Sequence, residues 1–147
     1  MKKLLFSTIF FVSMNAFALD QGCISHIEKL EDDLQNCTVT YGDNATTSDM
    51  NIAVYSAADC AVKIAHQLFD AYYTNNAKES KEMFDNFVRH IYQHSHLITH
   101  HSDYAKENYT GTLYNSMAIS RAESMIQDLT KSYLMQLKSE CQEFLDK

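Results

Sequence analysis

The sequence predicts an all-α fold, a small four-helix, disulfide-linked bundle that follows a cleaved signal peptide. Three observations lead to this prediction. Apolar residues recur at spacings of three and four in four separate segments, which is the period of an amphipathic helix. The chain has no Pro and only 3 Gly, so we expect long helices and few tight turns. Its 4 Cys all follow the N-terminal leader, and an even number in an exported protein indicates two disulfides.

Residues 1–18 have the pattern of a secretory signal peptide. Lys2 and Lys3 form a positive start, a mostly apolar run follows, and Ala16-Phe17-Ala18 is a small-residue cleavage site. The apolar run is shorter than the roughly 20 residues that span a bilayer. We therefore expect a single helical domain at residues 19–147 that is periplasmic or secreted, with no stable membrane insertion.

The charge of the chain restricts its partners. There are 12 Lys and Arg against 19 Asp and Glu, for a net charge of −7. Loss of Lys2 and Lys3 with the leader makes the chain more acidic still. The phosphates of nucleic acid would be repelled, whereas a basic protein partner would be attracted over some distance. Solubility alone is the competing explanation for an acidic surface.

Two helices are predicted in the first half of the domain. The first covers residues 22–37, and acidic side chains face outward opposite its apolar stripe, which consists of Cys23, Ile27, Leu30, Leu34 and Cys37. The second covers residues 50–73. Its stripe is rich in alanine, so we expect the other helices to pack closely around it; the stripe consists of Val54, Ala57, Ala61, Ile64, Leu68 and Ala71. The polar residues 38–48 predict a loop between the two.

Two more helices are predicted in the second half. Asn76 followed by Glu79 resembles a capping box and predicts the start of the third helix. Its expected core face consists of Phe84, Phe87, Val88, Ile91 and Ile98. Gly111 separates it from a last helix over residues 112–144. The stripe of this helix consists of Ala118, Ala122, Met125, Ile126, Leu129, Tyr133, Leu137, Cys141 and Phe144.

The cysteine spacing restricts the disulfides. Cys23 and Cys37 would lie about 21 Å apart on one intact helix, so each must bond a cysteine of another helix. Four helices with short connections favour antiparallel neighbours. In this arrangement, the heights of the four cysteines along the bundle axis favour the pairs Cys37–Cys60 and Cys23–Cys141. The pairing of Cys23 with Cys60 remains an alternative, although it leaves Cys37 far from Cys141.

A histidine-rich tract is the most conspicuous polar feature. It contains His90, His94, His96, His100 and His101. His90 and His94 are one helical turn apart, as are His96 and His100, and either pair could hold a zinc or copper ion through two imidazoles. A structural or merely solvated role and a pH response near neutrality are the competing interpretations. No other cofactor is expected.

Residues 101–114 form a candidate recognition loop because tyrosine is an efficient contact residue at protein interfaces. The side chains expected to contact a partner are Asp103, Tyr104, Tyr109 and Tyr114. A solvated connector is the competing interpretation. The sequence contains neither a G-x-S-x-G elbow nor a P-loop, so we expect a binding protein and not an enzyme.

Part of the chain resembles a known family. Residues 44–73 contain a Thr-rich run, Met50-Asn51 and then a segment that ends in Tyr72-Tyr73. Together with Leu129-Thr130-Lys131 and Leu137-Lys138 near the C-terminus, they resemble the small exported LprI-type lysozyme-inhibitor family. The similarity covers about half of the domain.

The resemblance has clear departures. Ala53 stands where the family has a Cys, His66 replaces an Asp, and the family's Trp segment has no counterpart because this chain has no Trp. The resemblance implies a helical, disulfide-linked periplasmic protein that binds and blocks a lysozyme. The expected function is therefore that of a lysozyme-inhibitor-like or immunity-type protein which contacts a basic cell-wall hydrolase. A periplasmic metal-binding protein that uses the histidine tract is the alternative.

Overall fold

The computed structural model describes residues 21–73, 75–101 and 112–145. These residues form four helices: α1 (Gln21–Gln35), α2 (Thr47–Tyr72), α3 (Ala77–His101) and α4 (Thr112–Leu145). No strand occurs in these three ranges. The prediction of an all-α, four-helix, disulfide-linked bundle is therefore confirmed. The predicted signal peptide, residues 1–18, lies outside the described residues. None of the described helices is long and apolar enough to cross a membrane.

The bundle has two central helices. Both α2 and α4 pack against all three of the other helices, while α1 and α3 flank them. The sequence predicted this role for α2 alone. The alanines of α2 explain the close packing, because Ala61 is fully buried and its carbonyl accepts a hydrogen bond from the Thr130 hydroxyl of α4 at 3.4 Å. The core contains buried residues from all four helices, including Ile27, Leu68, Ile91, Ile126 and Leu134.

Both predicted disulfides are present. Cys23 at the start of α1 bonds Cys141 near the end of α4, with their Cα atoms 6.3 Å apart. Cys37, two residues beyond α1, bonds Cys60 in the middle of α2, with a Cα separation of 5.6 Å. The alternative pairing of Cys23 with Cys60 is therefore wrong. The two bonds fix α1 to different central helices at its two ends.

An aromatic cluster joins α2, α3 and α4. Phe69, Phe84 and Tyr133 contact one another edge to face, with ring centroids 5.5–6.0 Å apart. This is the preferred geometry for aromatic pairs. On the surface beside the cluster, His66 of α2 lies 2.8 Å from the Asp85 carboxylate of α3. The cluster and this contact hold α3 in place although no disulfide reaches it.

The buried face of α3 differs from the predicted one. Phe84 and Ile91 are buried as expected, but Phe87 is 55% exposed and Ile98 is 44% exposed. Ser95 and Thr99 are buried in their place. The reason is that α3 has two apolar stripes at helical spacing, and the side that faces α2 and α4 follows residues 84, 88, 91, 95 and 99. Periodicity alone does not reveal which stripe is covered.

Two single residues also depart from the predicted stripes. Ala71 of α2 is exposed, because it lies in the last turn of the helix. Met125 of α4 is 42% exposed, whereas Leu134, which the predicted stripe lacked, is fully buried. The 34-residue helix α4 contacts three neighbours, so its buried surface is wider than one stripe.

A capping box fixes the start of α2. The Thr46 side chain accepts a hydrogen bond from the Asp49 N–H at 3.2 Å, and the Thr46 N–H donates to the Asp49 carboxylate at 2.8 Å. This is the reciprocal arrangement that satisfies two otherwise unpaired donors.

We expect Thr46→Ala to lower the free energy of unfolding by about 1 kcal/mol, as measured by urea denaturation. The control is Thr47→Ala, because Thr47 is exposed in the first turn of the same helix. An equal loss of unfolding free energy in the two variants would contradict a role for the cap.

Candidate functional site

The predicted recognition loop lies largely outside the described residues. Asp103, Tyr104 and Tyr109 fall within the undescribed residues 102–111. Tyr114 belongs to α4, but its side chain is not among those described. The partner-binding role of these four residues therefore remains a prediction.

The histidine tract is divided between different sides of α3. His90 and His94 are exposed on its outer face, whereas His96 is half-buried and points about 200° away from His94 around the helix. The side chains of His100 and His101 are outside the described set. Among the residues that are described, no group of three or more His, Cys, Asp or Glu side chains could hold a metal ion. The four predicted ligands thus do not form one described metal site within a single chain.

An open groove lies where the α1–α2 loop meets the start of α2. Its volume is about 600 Å³, and its lining includes the side chains of Tyr41, Asp43, Asp49 and Ile52. Tyr41 is 55% exposed and Ile52 is 61% exposed. We call this surface, formed by Tyr41, Asp43, Asp49 and Ile52, the loop groove. It combines two carboxylates with two exposed apolar side chains.

Three contacts hold the loop groove in shape. The Cys37–Cys60 disulfide attaches the first part of the loop to α2. The Gln127 side chain of α4 donates a hydrogen bond to the Cys37 carbonyl at 2.6 Å. Farther along, the Ala45 N–H donates to the Gly42 carbonyl at 3.0 Å and closes a turn. The loop is thus tied to both central helices, which favours a preformed binding surface.

The electrostatics of the loop groove favour a cation. The Thr46 hydroxyl, and secondly its backbone N–H, donate to Asp49 and hold the pKa of that carboxyl below its usual value. Asp49 is therefore ionised at neutral pH. Asp43 supplies a second acidic side chain to the same lining. A guanidinium or ammonium group entering the groove would meet two carboxylates and the exposed ring of Tyr41, whose face attracts cations.

An aromatic pair extends this surface along α2. Tyr55 is 46% exposed, and its ring centroid lies 5.8 Å from that of Tyr92 on α3. Burial, followed by the neighbouring Tyr55, Glu123 and Asp59, raises the pKa of Tyr92 to about 12. The Tyr92 phenol is therefore uncharged at neutral pH, and its ring packs against the exposed ring of Tyr55.

Sequence reasoning treated residues 38–48 only as a loop. The signal that could have revealed the groove is the pair of large side chains at the start of α2 that lie off its buried stripe, namely Ile52 and Tyr55. Neighbouring large apolar side chains that are both exposed indicate an interaction surface. Fold and groove together define a disulfide-linked helical bundle with an acidic, partly apolar surface.

Comparison with known proteins yields no relative. No protein-family model, curated protein or solved structure matches this chain. The resemblance to lysozyme inhibitors therefore rests on the sequence segments described above.

Proposed function

We propose that this chain is an exported binding protein that blocks a basic cell-wall hydrolase, such as a lysozyme, by surface contact. The observation that carries the proposal is the loop groove, in which Asp43 and Asp49 lie beside the exposed Tyr41 and Ile52. The resemblance to lysozyme inhibitors points to the same class of partner. In this proposal the chain acts by occupying its partner and not by catalysis.

The acidic charge supports a basic partner. A net charge of −7 would steer a positively charged protein toward this surface and speed association. Within the groove, an arginine of the partner would pair with a carboxylate and stack on Tyr41. Tyrosine and arginine are the residues that contribute most often to binding hot spots.

Export is part of the proposal. The leader pattern of residues 1–18 favours secretion, and two disulfides are typical of proteins that fold in an oxidising compartment. A cell-wall hydrolase acts outside the cytoplasm, so the inhibitor and its target would meet in the periplasm or beyond it.

A lysis assay tests the proposal. Purified protein is added to a panel of lysozymes acting on bacterial cell walls, and binding is measured by calorimetry. We expect inhibition of at least one lysozyme and an affinity that falls as salt rises. The double variant Tyr41→Ala/Asp43→Asn should weaken binding about tenfold or more, which corresponds to about 1.4 kcal/mol.

The matched control is Glu143→Gln. Glu143 is exposed near the end of α4, at the opposite end of the bundle, and its replacement removes one negative charge as Asp43→Asn does. If both variants bind equally weakly, general charge and not the groove governs binding. If the unaltered protein inhibits no lysozyme and forms no complex, the proposed function is wrong.

A further inference from the structure

The outer face of α3 presents a second apolar stripe that no other described helix covers. Met83, Phe87 and Leu97 are 67%, 55% and 57% exposed. His90 and His94 lie between them and are also exposed. These five residues, which we call the outer stripe, follow one another at spacings of four, three, four and three. This is the spacing of a coiled-coil seam.

The outer stripe is free of full charges. All the Asp, Glu, Lys and Arg residues of α3 lie at other positions, namely Lys78, Glu79, Lys81, Glu82, Asp85 and Arg89. Ile98, 44% exposed, widens the stripe at its far end. A row of exposed large apolar side chains on one helix face indicates an interaction site. The acidic and basic residues of α3 balance in number, so this helix adds nothing to the repulsion between two chains of net charge −7.

The stripe is complementary to itself in the antiparallel direction. The two-fold axis of such a pair would pass midway between His90 and His94. If a second copy lies antiparallel about that axis, His90 of each copy faces His94 of the other, and Phe87 of each copy faces Leu97 of the other. Phe87 thus meets Leu97 and imidazoles meet imidazoles, as a two-fold symmetric interface requires, while Met83 lies beyond these paired residues.

The histidine side chains of the outer stripe indicate which ligand two paired copies would bind. His90 and His94 are one turn apart on the same face, and the described residues of one chain supply no third donor to make a metal site. Two antiparallel copies bring four imidazoles to one place, which is the number that a tetrahedral zinc ion takes. The site is therefore incomplete in one chain and complete in two.

We propose that two copies of this chain pair through the outer stripes of α3 and hold one Zn²⁺ between His90 and His94 of both. This inference is independent of the proposed function. The paired residues run from Phe87 to Leu97, about 15 Å along one helix. This contact is smaller than the roughly 800 Å² that each partner contributes to a stable interface, so the dimer depends on the metal.

Sedimentation analysis with and without metal tests the inference. The full exported chain, purified without a histidine tag, is measured in EDTA and then with Zn²⁺. We expect a monomer in EDTA, a dimer of twice the mass with Zn²⁺, and one zinc bound per two chains by calorimetry. The variant His90→Ala/His94→Ala should remain monomeric in Zn²⁺, whereas His96→Ala, altered on the other side of α3, should still dimerise.

Phe87→Asp provides a second test that leaves both histidines in place. It should prevent the dimer while keeping the far-UV circular dichroism spectrum of the parent protein. Zinc bound by a monomer at one ion per chain would overturn the inference. So would a zinc dimer that survives His90→Ala/His94→Ala, a dimer in EDTA, or no zinc binding.

Discussion

Replacing Cys23 and Cys141 by serine is expected to lower the free energy of unfolding by about 5 kcal/mol. The bond joins residues separated by 118 positions, so its removal frees most of the chain in the unfolded state. Both cysteines are buried, and the change also introduces two hydroxyl groups into the core. Urea denaturation followed by far-UV circular dichroism measures the loss. It is comparable to the whole stability of a small domain.

The matched comparison is the second disulfide. Cys37 and Cys60 are separated by only 23 positions, so Cys37→Ser/Cys60→Ser should cost less, about 3 kcal/mol. The expected order of the two losses in unfolding free energy follows from the length of the loop that each disulfide closes. A larger loss in the Cys37/Cys60 variant, or two equal losses, would show that loop length does not govern the stabilisation.

Phe84→Ala is expected to lower the free energy of unfolding by about 3–5 kcal/mol. Phe84 is 3% exposed and contacts both Phe69 and Tyr133 across the helix interfaces. Its removal would leave a cavity between α2, α3 and α4 that rigid neighbours fill only in part. Thermal and urea denaturation in EDTA measure the effect on the single chain.

Phe87→Ala is the control, with the same substitution one turn along the same helix. Phe87 is 55% exposed, so its loss should change the stability by no more than about 0.5 kcal/mol. The sequence assigned both rings to the core, and the structure assigns only Phe84. Similar losses in the two variants would mean that the outer face of α3 is covered in the folded protein.

The sequence was sufficient to predict the architecture because the helices are strongly amphipathic. The stripe of α1 predicted its buried face in full, from Cys23 to Cys37. The heights of the cysteines on ideal antiparallel helices predicted both disulfides, since rise per residue is nearly constant. These features depend on local geometry, which sequence spacing reveals directly.

The exposed face of α3 and the loop groove were harder to predict from the sequence. Two apolar stripes on α3 have the same period, and only the docking of α2 and α4 decides that Phe84 is buried and Phe87 exposed. The loop groove forms where a loop folds back on the start of α2, so Tyr41 and Ile52 become neighbours in its lining through tertiary contacts. Such contacts leave no periodic signal in the chain.

The attachment of α1 at both ends affects how the molecule opens. A helix of 15 residues is marginally stable in water by itself, and a helix at the flank of a bundle normally opens before its centre. Here covalent bonds to α4 and α2 remove that local route, so the backbone amides of α1 should exchange hydrogen only when the entire bundle opens. In a reducing environment both bonds would open, and α1 would then regain this local route of opening.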